Sequence, residues 1–282
     1  ICRLRSHLSA CSISSNNTEN NDLFAPPEQP LRLLTDEELE RYASERVVHL
    51  SGVLSKQWLQ RIEQAVDSFI QPPGPDDLQS MKANEWHRDD AMHAIIMNCP
   101  TAHIAQQVLA RLAPLSDPAP RGTLKPIRFF YDQTFVKHPL LADDEVLADR
   151  NGPLGNTPWH QDITFWPVSG EQIVSVWIAL DDTSLENGGL EFVPGSSSFA
   201  NKYEAVGVGG GKVDRMPFAT DSLERVPKIN SATTGETDGE LSAISFDMKA
   251  GDVLLFDTKI LHGAPPNLSA RPRRGIALRY LG

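Results

Sequence analysis

From Lys125 onward the chain is cut into short β-branched or aromatic runs, and this punctuation constrains the fold more than any other feature. "PIRFFYDQTFVKHP", "IVSVWIAL", "GLEFVPG", "GDVLLF" and "RRGIALRYL" are of strand length and are separated by Gly, Pro and Asn-Gly signals. Helical periodicity is confined to the part before Lys125. Thr35 with Glu38 forms a capping box opening "DEELERYASE". After a short strand, "VVHL", Ser55 caps "KQWLQRIEQAVDSFI", where Trp58, Ile62, Ala65 and Phe69 recur as one apolar stripe. "AHIAQQVLARLAP" reads as a third amphipathic helix. Helices followed by many short strands predict a mostly β fold, a sandwich or barrel with α-helices packed on its outside.

The same reading divides the chain. Residues 1–32 contain Arg3, Arg5 and several serines, with no acid before Glu19, and are expected to be a disordered tail or an organelle-targeting segment. Residues 33–282 are expected to form one domain. Within it, residues 205–243 are rich in Gly, Ser, Thr and Asp and read as a long lid-like loop.

Charge and cysteine usage narrow the partners. A formal charge of -11 repels phosphate backbones and anionic lipid. Neither nucleic acid nor stable membrane association is therefore expected, and no apolar run approaches the roughly 20 residues of a membrane span. Cys2, Cys11 and Cys99 fall at no metal-type spacing and cannot all pair, which points to a soluble protein of a reducing, intracellular compartment.

Chemistry concentrates in "TPWHQDITFWP", Thr157 to Pro167. In a strand, residues i and i+2 face one way, so His160 and Asp162 can aim an imidazole and a carboxylate at one point. His262, at the end of the apolar run in "GDVLLFDTKILHGAPPN", offers a third ligand. Two histidines and one carboxylate on one side of a cation make the facial triad of non-haem Fe(II) oxygenases. "EWHRDDAMH" repeats the His-x-Asp spacing at His87 and Asp89, but lies in a charged helix or loop without flanking strands. An isolated histidine of that kind is most often a surface or satisfied core residue. Phe165 and Trp166, just after the metal pair, are expected to wall the pocket.

An iron enzyme of this type commonly uses 2-oxoglutarate, whose second carboxylate suits a bidentate guanidinium. On the last strand Arg274, Ile276, Leu278 and Tyr280 share one bulky face, while Arg273, Gly275 and Ala277 share the other. Arg273, with space expected in front of Gly275 and Ala277, is the better candidate.

"PWHQD", "VWIALDDTSLENGGLEFVPGS" and "GDVLLFDTKILHGAPPN", followed by the arginine, resemble the phytanoyl-CoA dioxygenase-like family of Fe(II)/2-oxoglutarate oxygenases. The resemblance runs from about Val47 to the C-terminus. It implies a double-stranded β-helix (jelly-roll) core, iron on His160, Asp162 and His262, and 2-oxoglutarate on Arg273. It also implies cosubstrate contacts from Gln161 and Trp177, and a pocket-lining strand carrying Gln133 and Lys137. One departure is Ala264, where the family often has a hydroxyl that contacts the cosubstrate. A second is Ser197-Ser198-Phe199, where relatives often have a histidine. The turn at Asn187-Gly188-Gly189 reads as scaffold rather than chemistry.

The expected activity is a dioxygenase that consumes 2-oxoglutarate and O2, hydroxylates a C–H bond of a small-molecule substrate, and releases succinate and CO2. A non-catalytic metal-binding jelly roll is the alternative from another class. A related halogenase is disfavoured, because Asp162 stands where that chemistry needs a halide.

Overall fold

Helix α1, Asp36–Glu45, starts where the capping box sets it: the Thr35 hydroxyl accepts from the Glu38 amide and the Glu38 carboxylate accepts from the Thr35 amide. The computed structural model describes residues 28–70, 78–112, 123–140, 155–200, 202–203, 224–231 and 238–282. Arg46, at φ 64, ends the helix and turns the chain into strand β1, Val47–Leu50. Helix α2, Lys56–Phe69, is capped by Ser55 and buries Trp58, Ile62, Ala65 and Val66, with Phe69 packed at the edge of the same core. Strand β2 is Gln79–Ala83, and helix α3, Asp90–Asn98, begins with the Asp89 side chain capping the Met92 amide. Helix α4, Thr101–Arg111, buries Ile104, Ala105, Val108 and Leu109.

The strands then follow as β3 Arg128–Lys137, β4 Thr157–His160, β5 Ile173–Ala179, β6 Glu191–Phe192, β7 Ile229–Asn230, β8 Leu241–Ser242, β9 Ile244–Ser245, β10 Val253–Asp257, β11 His262–Ala264 and β12 Arg273–Leu281. The large sheet has the order β1-β10-β5-β12-β3-β2 and the small one β4-β11-β6-β9, with every pairing antiparallel. Short β7 and β8 pair in parallel beside them. This is the jelly-roll core with helices outside.

The two faces of the large sheet explain its sequence. Val174, Val176, Ile178, Val253, Leu255, Ile276, Leu278 and Tyr280 face the helices in one apolar cluster. Trp177, Ala179, Leu254, Phe256 and Ala277 face inward and pack on Phe192 of the small sheet. Strands β5 and β10 are buried throughout, so they read as continuous apolar runs rather than alternating ones.

Three features differ from the sequence reading. Residues 28–32, on the tail side of the boundary drawn at 33, are held in place: Glu28 donates its amide to the Asn98 carbonyl and accepts from the Trp58 indole, and Leu31 donates to the Val53 carbonyl. Strand β4 ends at His160, and Asp162 opens a 3-10 turn, Asp162–Phe165. The extended backbone of Gln161, φ -116, carries the chain between them. Of the expected loop at 205–243, the described part contains β7 and β8, and Ile229 is buried with Val193, Tyr203 and Leu261. Residues 205–223 and 232–237 of that loop, and 1–27 of the expected tail, lie outside the described residues. Among the described residues no helix is long and apolar enough to cross a membrane.

Candidate metal centre

Strand pairing builds the centre. β11 runs antiparallel to β4 with His262 directly opposite His160, which brings the two ring centroids to 4.2 Å. Each imidazole is oriented from behind: Nδ1 of His160 lies 2.7 Å from the Pro158 carbonyl, and Nδ1 of His262 lies 3.0 Å from the Ile260 carbonyl. A carbonyl only accepts, so each Nδ1 carries a proton, and the tautomer this selects for a neutral ring leaves the Nε2 lone pair for a metal. Both Nε2 atoms face Oδ1 of Asp162, at 3.6 and 3.8 Å. One ligand atom from each of the three residues can be chosen so that all lie within 4.8 Å of one another, which suits a single cation.

The charges suit it too. Burial, reinforced by neighbouring His160, lowers His262 to about 4, so its imidazole is neutral at physiological pH and free to bind a metal. Burial pushes the Asp162 carboxyl up, but the Arg279 guanidinium and the two histidines outweigh it and hold the group below the usual carboxylate range. The second oxygen, Oδ2, faces Arg279 Nη2 at 3.4 Å and the Ser175 hydroxyl at 3.5 Å. Phe165 sets its ring edge-on to His160, and Trp166 packs edge-on against Phe130 and Tyr131.

The inner face of the large sheet supplies the cations. Arg273 and Lys137 are paired across β12 and β3, and both are almost fully buried. Arg273 donates from Nη2 to the Gly188 carbonyl at 2.5 Å, while its Nε has no partner among the described residues. Burial lowers the Arg273 guanidinium to about 10. Lys137 donates to the carbonyls of Gly155, Ala264 and Pro265, at 3.1, 2.9 and 2.5 Å. Burial, and then the Arg273 charge, hold its ammonium well below the usual lysine value. Arg274 points the other way, as strand alternation requires. It bonds Asp181 and Asp67 and lies 3.6 Å from Glu63.

Several expected contacts look different in three dimensions. The space in front of Gly275 is filled: Trp177 lies across it, with an ideal Cβ on Gly275 only 2.1 Å from Cζ2 of the indole. Trp177 thereby flanks Arg273, whose Cζ is 5.5 Å from the ring centroid. The Gln161 amide is tied into the protein, Nε2 donating to the Lys259 carbonyl and Oε1 accepting from the Tyr203 amide. These two bonds lock the metal-ligand loop and leave one N–H and one lone pair of the amide over. Gln133 lies on the inner face of β3, half-buried, with Nε2 2.6 Å from Met81 Sδ. Ala264, in place of a hydroxyl, contributes its carbonyl to Lys137. The Asn187-Gly188-Gly189 turn is more than scaffold, since the Gly188 carbonyl holds Arg273. Asp89 is a helix cap and His87 packs on Trp86, so the second His-x-Asp is structural. Arg279 was missed from sequence, although the alternation that selects Arg273 puts it on the same face.

Comparison with known proteins agrees with this arrangement. The family model described as phytanoyl-CoA dioxygenase matches residues 42–275. L-proline trans-4-hydroxylase of Streptomyces griseoviridis is 29% identical over 128 residues, covering 44% of this chain and 47% of that protein. A probable alpha-ketoglutarate-dependent hypophosphite dioxygenase of Stutzerimonas stutzeri is 30% identical over 125 residues, 43% of this chain and 38% of that protein. Each match spans less than half of the curated relative. In fold, the chain is similar to the non-heme alpha ketoglutarate dependent carbocyclase SnoK from nogalamycin biosynthesis, with a TM-score of 0.61, 19% identity, and 91% of this chain and 87% of that chain covered.

Proposed function

The chain belongs to the phytanoyl-CoA dioxygenase family, and from that premise we propose that it is an Fe(II)- and 2-oxoglutarate-dependent dioxygenase. It hydroxylates a C–H bond of a small molecule, consuming O2 and 2-oxoglutarate and releasing succinate and CO2. The observation that carries this reading is the convergence of His160, Asp162 and His262 beside two buried cations, Arg273 and Lys137. Among the described residues those cations have no carboxylate partner in their hydrogen bonds, and a dicarboxylate would supply one.

His160, Asp162 and His262 would hold the iron, which supplies the oxidative chemistry when bound. The donor set fits: two imidazoles whose Nε2 atoms converge on the Asp162 carboxylate, which is held ionised. Arg273 binds the distal carboxylate of 2-oxoglutarate, its unpaired Nε marking spare donor capacity. Lys137 adds positive charge and ties two backbone segments together at the site, and Trp177 fixes the guanidinium from the side. Phe165 and Trp166 supply apolar wall close to the metal ligands, which helps to exclude water. The named relatives hydroxylate or oxidise small molecules, L-proline and hypophosphite among them, and a small-molecule substrate is the corresponding reading here.

The test is a screen of small molecules for stimulated 2-oxoglutarate decarboxylation, with succinate measured alongside. Succinate formation that needs Fe(II) and is lost in His262→Ala is the expected result. A protein that binds Fe(II) and 2-oxoglutarate but forms no succinate with any compound would be a binding module instead.

A further inference from the structure

Arg279 is a buried charge beside the metal ligands that this function leaves unused. It sits on the inner face of β12, 2% exposed, with Cζ 4.6 Å from the Tyr131 ring centroid, 5.4 Å from Trp166 and 6.0 Å from Phe135. Among the described residues its one polar contact is the 3.4 Å approach of Nη2 to Asp162 Oδ2, and Nε and Nη1 have no partner. Asp162 is a poor sole counterion, because its Oδ1 faces the two histidines. A divalent ion at those three residues would draw on the same carboxylate and repel the guanidinium. Polar hydrogens buried in this way are rare unless a ligand completes them.

We propose that Arg279 forms a second carboxylate subsite beside the metal ligands, separate from Arg273. The aromatic rings hold the guanidinium flat and leave its free edge to accept a planar oxyanion through two parallel bonds. The inference rests on the oxygenase reading. The carboxylate has two possible sources, the keto-acid end of 2-oxoglutarate or a carboxylate of the substrate. Neither source involves Arg273, whose partner is the distal carboxylate of the cosubstrate.

Calorimetric titration of the Fe(II)-loaded protein without O2 tests the subsite without turnover. The probes are 2-oxoglutarate; pyruvate, which has a keto-acid end and no distal carboxylate; and, on the 2-oxoglutarate complex, benzoate against benzamide. If the keto-acid end occupies the subsite, Arg279→Gln weakens 2-oxoglutarate and pyruvate alike by about 10- to 100-fold at unchanged Fe(II) affinity. Arg273→Leu should then weaken 2-oxoglutarate alone. If the substrate supplies the carboxylate, Arg279→Gln leaves both keto acids unchanged, while benzoate binds wild type in preference to benzamide and is lost in the variant. Arg279→Lys keeps the charge without the fork and should lose about tenfold for the same probe; it decides the matter if the Gln variant does not fold. Parity of both variants with wild type on every probe, or a loss of Fe(II) affinity alone, overturns the subsite and leaves Arg279 as a brace for Asp162. A wild-type protein that binds neither Fe(II) nor 2-oxoglutarate overturns the oxygenase reading itself.

Discussion

An ideal Cβ on Gly275 would lie 2.1 Å from the Trp177 indole, so this glycine is dictated by its neighbour rather than by a turn. The indole in turn flanks Arg273. Gly275→Ala therefore has to displace Trp177, and the displacement reaches the guanidinium. Overpacking of this kind costs about 1–3 kcal/mol of stability. The 2-oxoglutarate KM should rise while Fe(II) affinity holds, because no metal ligand lies on β12. Calorimetry and initial rates on the purified variant check both. A variant with wild-type cosubstrate affinity would show that Trp177 and Arg273 are not mechanically linked.

At the scale of one element, β12 separates two adjacent arginines by function. Arg273 faces inward with a single carbonyl partner among the described residues, whereas Arg274 is bound outside by Asp181 and Asp67. Removing the buried charge from its ligand should cost on the order of 2–5 kcal/mol of 2-oxoglutarate binding, roughly 30- to several-thousand-fold. Arg273→Leu is therefore expected to raise the cosubstrate KM steeply, and Arg273→Lys to recover only part. Arg274→Leu should leave that KM near wild type. It should lower stability by about 1 kcal/mol, as expected for a partly exposed ion network. Cosubstrate titration and denaturant melts on the three variants distinguish them; a crippling Arg274→Leu would reverse the assignment. Alternation made this contrast readable from "RRGIALRYL", and three further steps along the same face, past Gly275 and Ala277, reach Arg279.

Across the whole molecule, the centre lies where two sheets face each other: the histidines come from the small sheet and the cations from the large one. Such a centre couples metal, proton and fold. In metal-free protein His262 titrates at about 4, well below the 6.5 of a free imidazole. Between those values the unfolded chain binds the proton and the folded one does not. Stability present above pH 6.5 is therefore lost as pH falls toward 4, by about 3 kcal/mol from this group. The depressed Asp162 carboxyl acts in the same direction at lower pH, since its contribution is also lost on acidification. Thermal melts of chelator-treated protein should show Tm falling across pH 6.5 to 4. Fe(II) should raise Tm at neutral pH, and His262→Ala should abolish that rise. A metal-induced rise that survives in His262→Ala would remove this histidine from the centre.

Local patterns were enough for the long apolar elements, though not for β2, α3 or the short strands β7 to β9, and for the chemistry carried along one strand. The capping box set α1, the run "IVSVWIA" marked β5 as a core strand, and His160, Asp162 and His262 were legible as one group. Period-two alternation even told Arg273 from Arg274, because it depends only on the strand's own pleat. What lies across strands was not legible. That Trp177 fills the space over Gly275, that Gln161 is tied to Lys259 and Tyr203, and that the Gly188 carbonyl holds Arg273 are all consequences of register between distant segments. Register is decided when whole sheet faces are buried together, so those contacts exist only in the packed molecule.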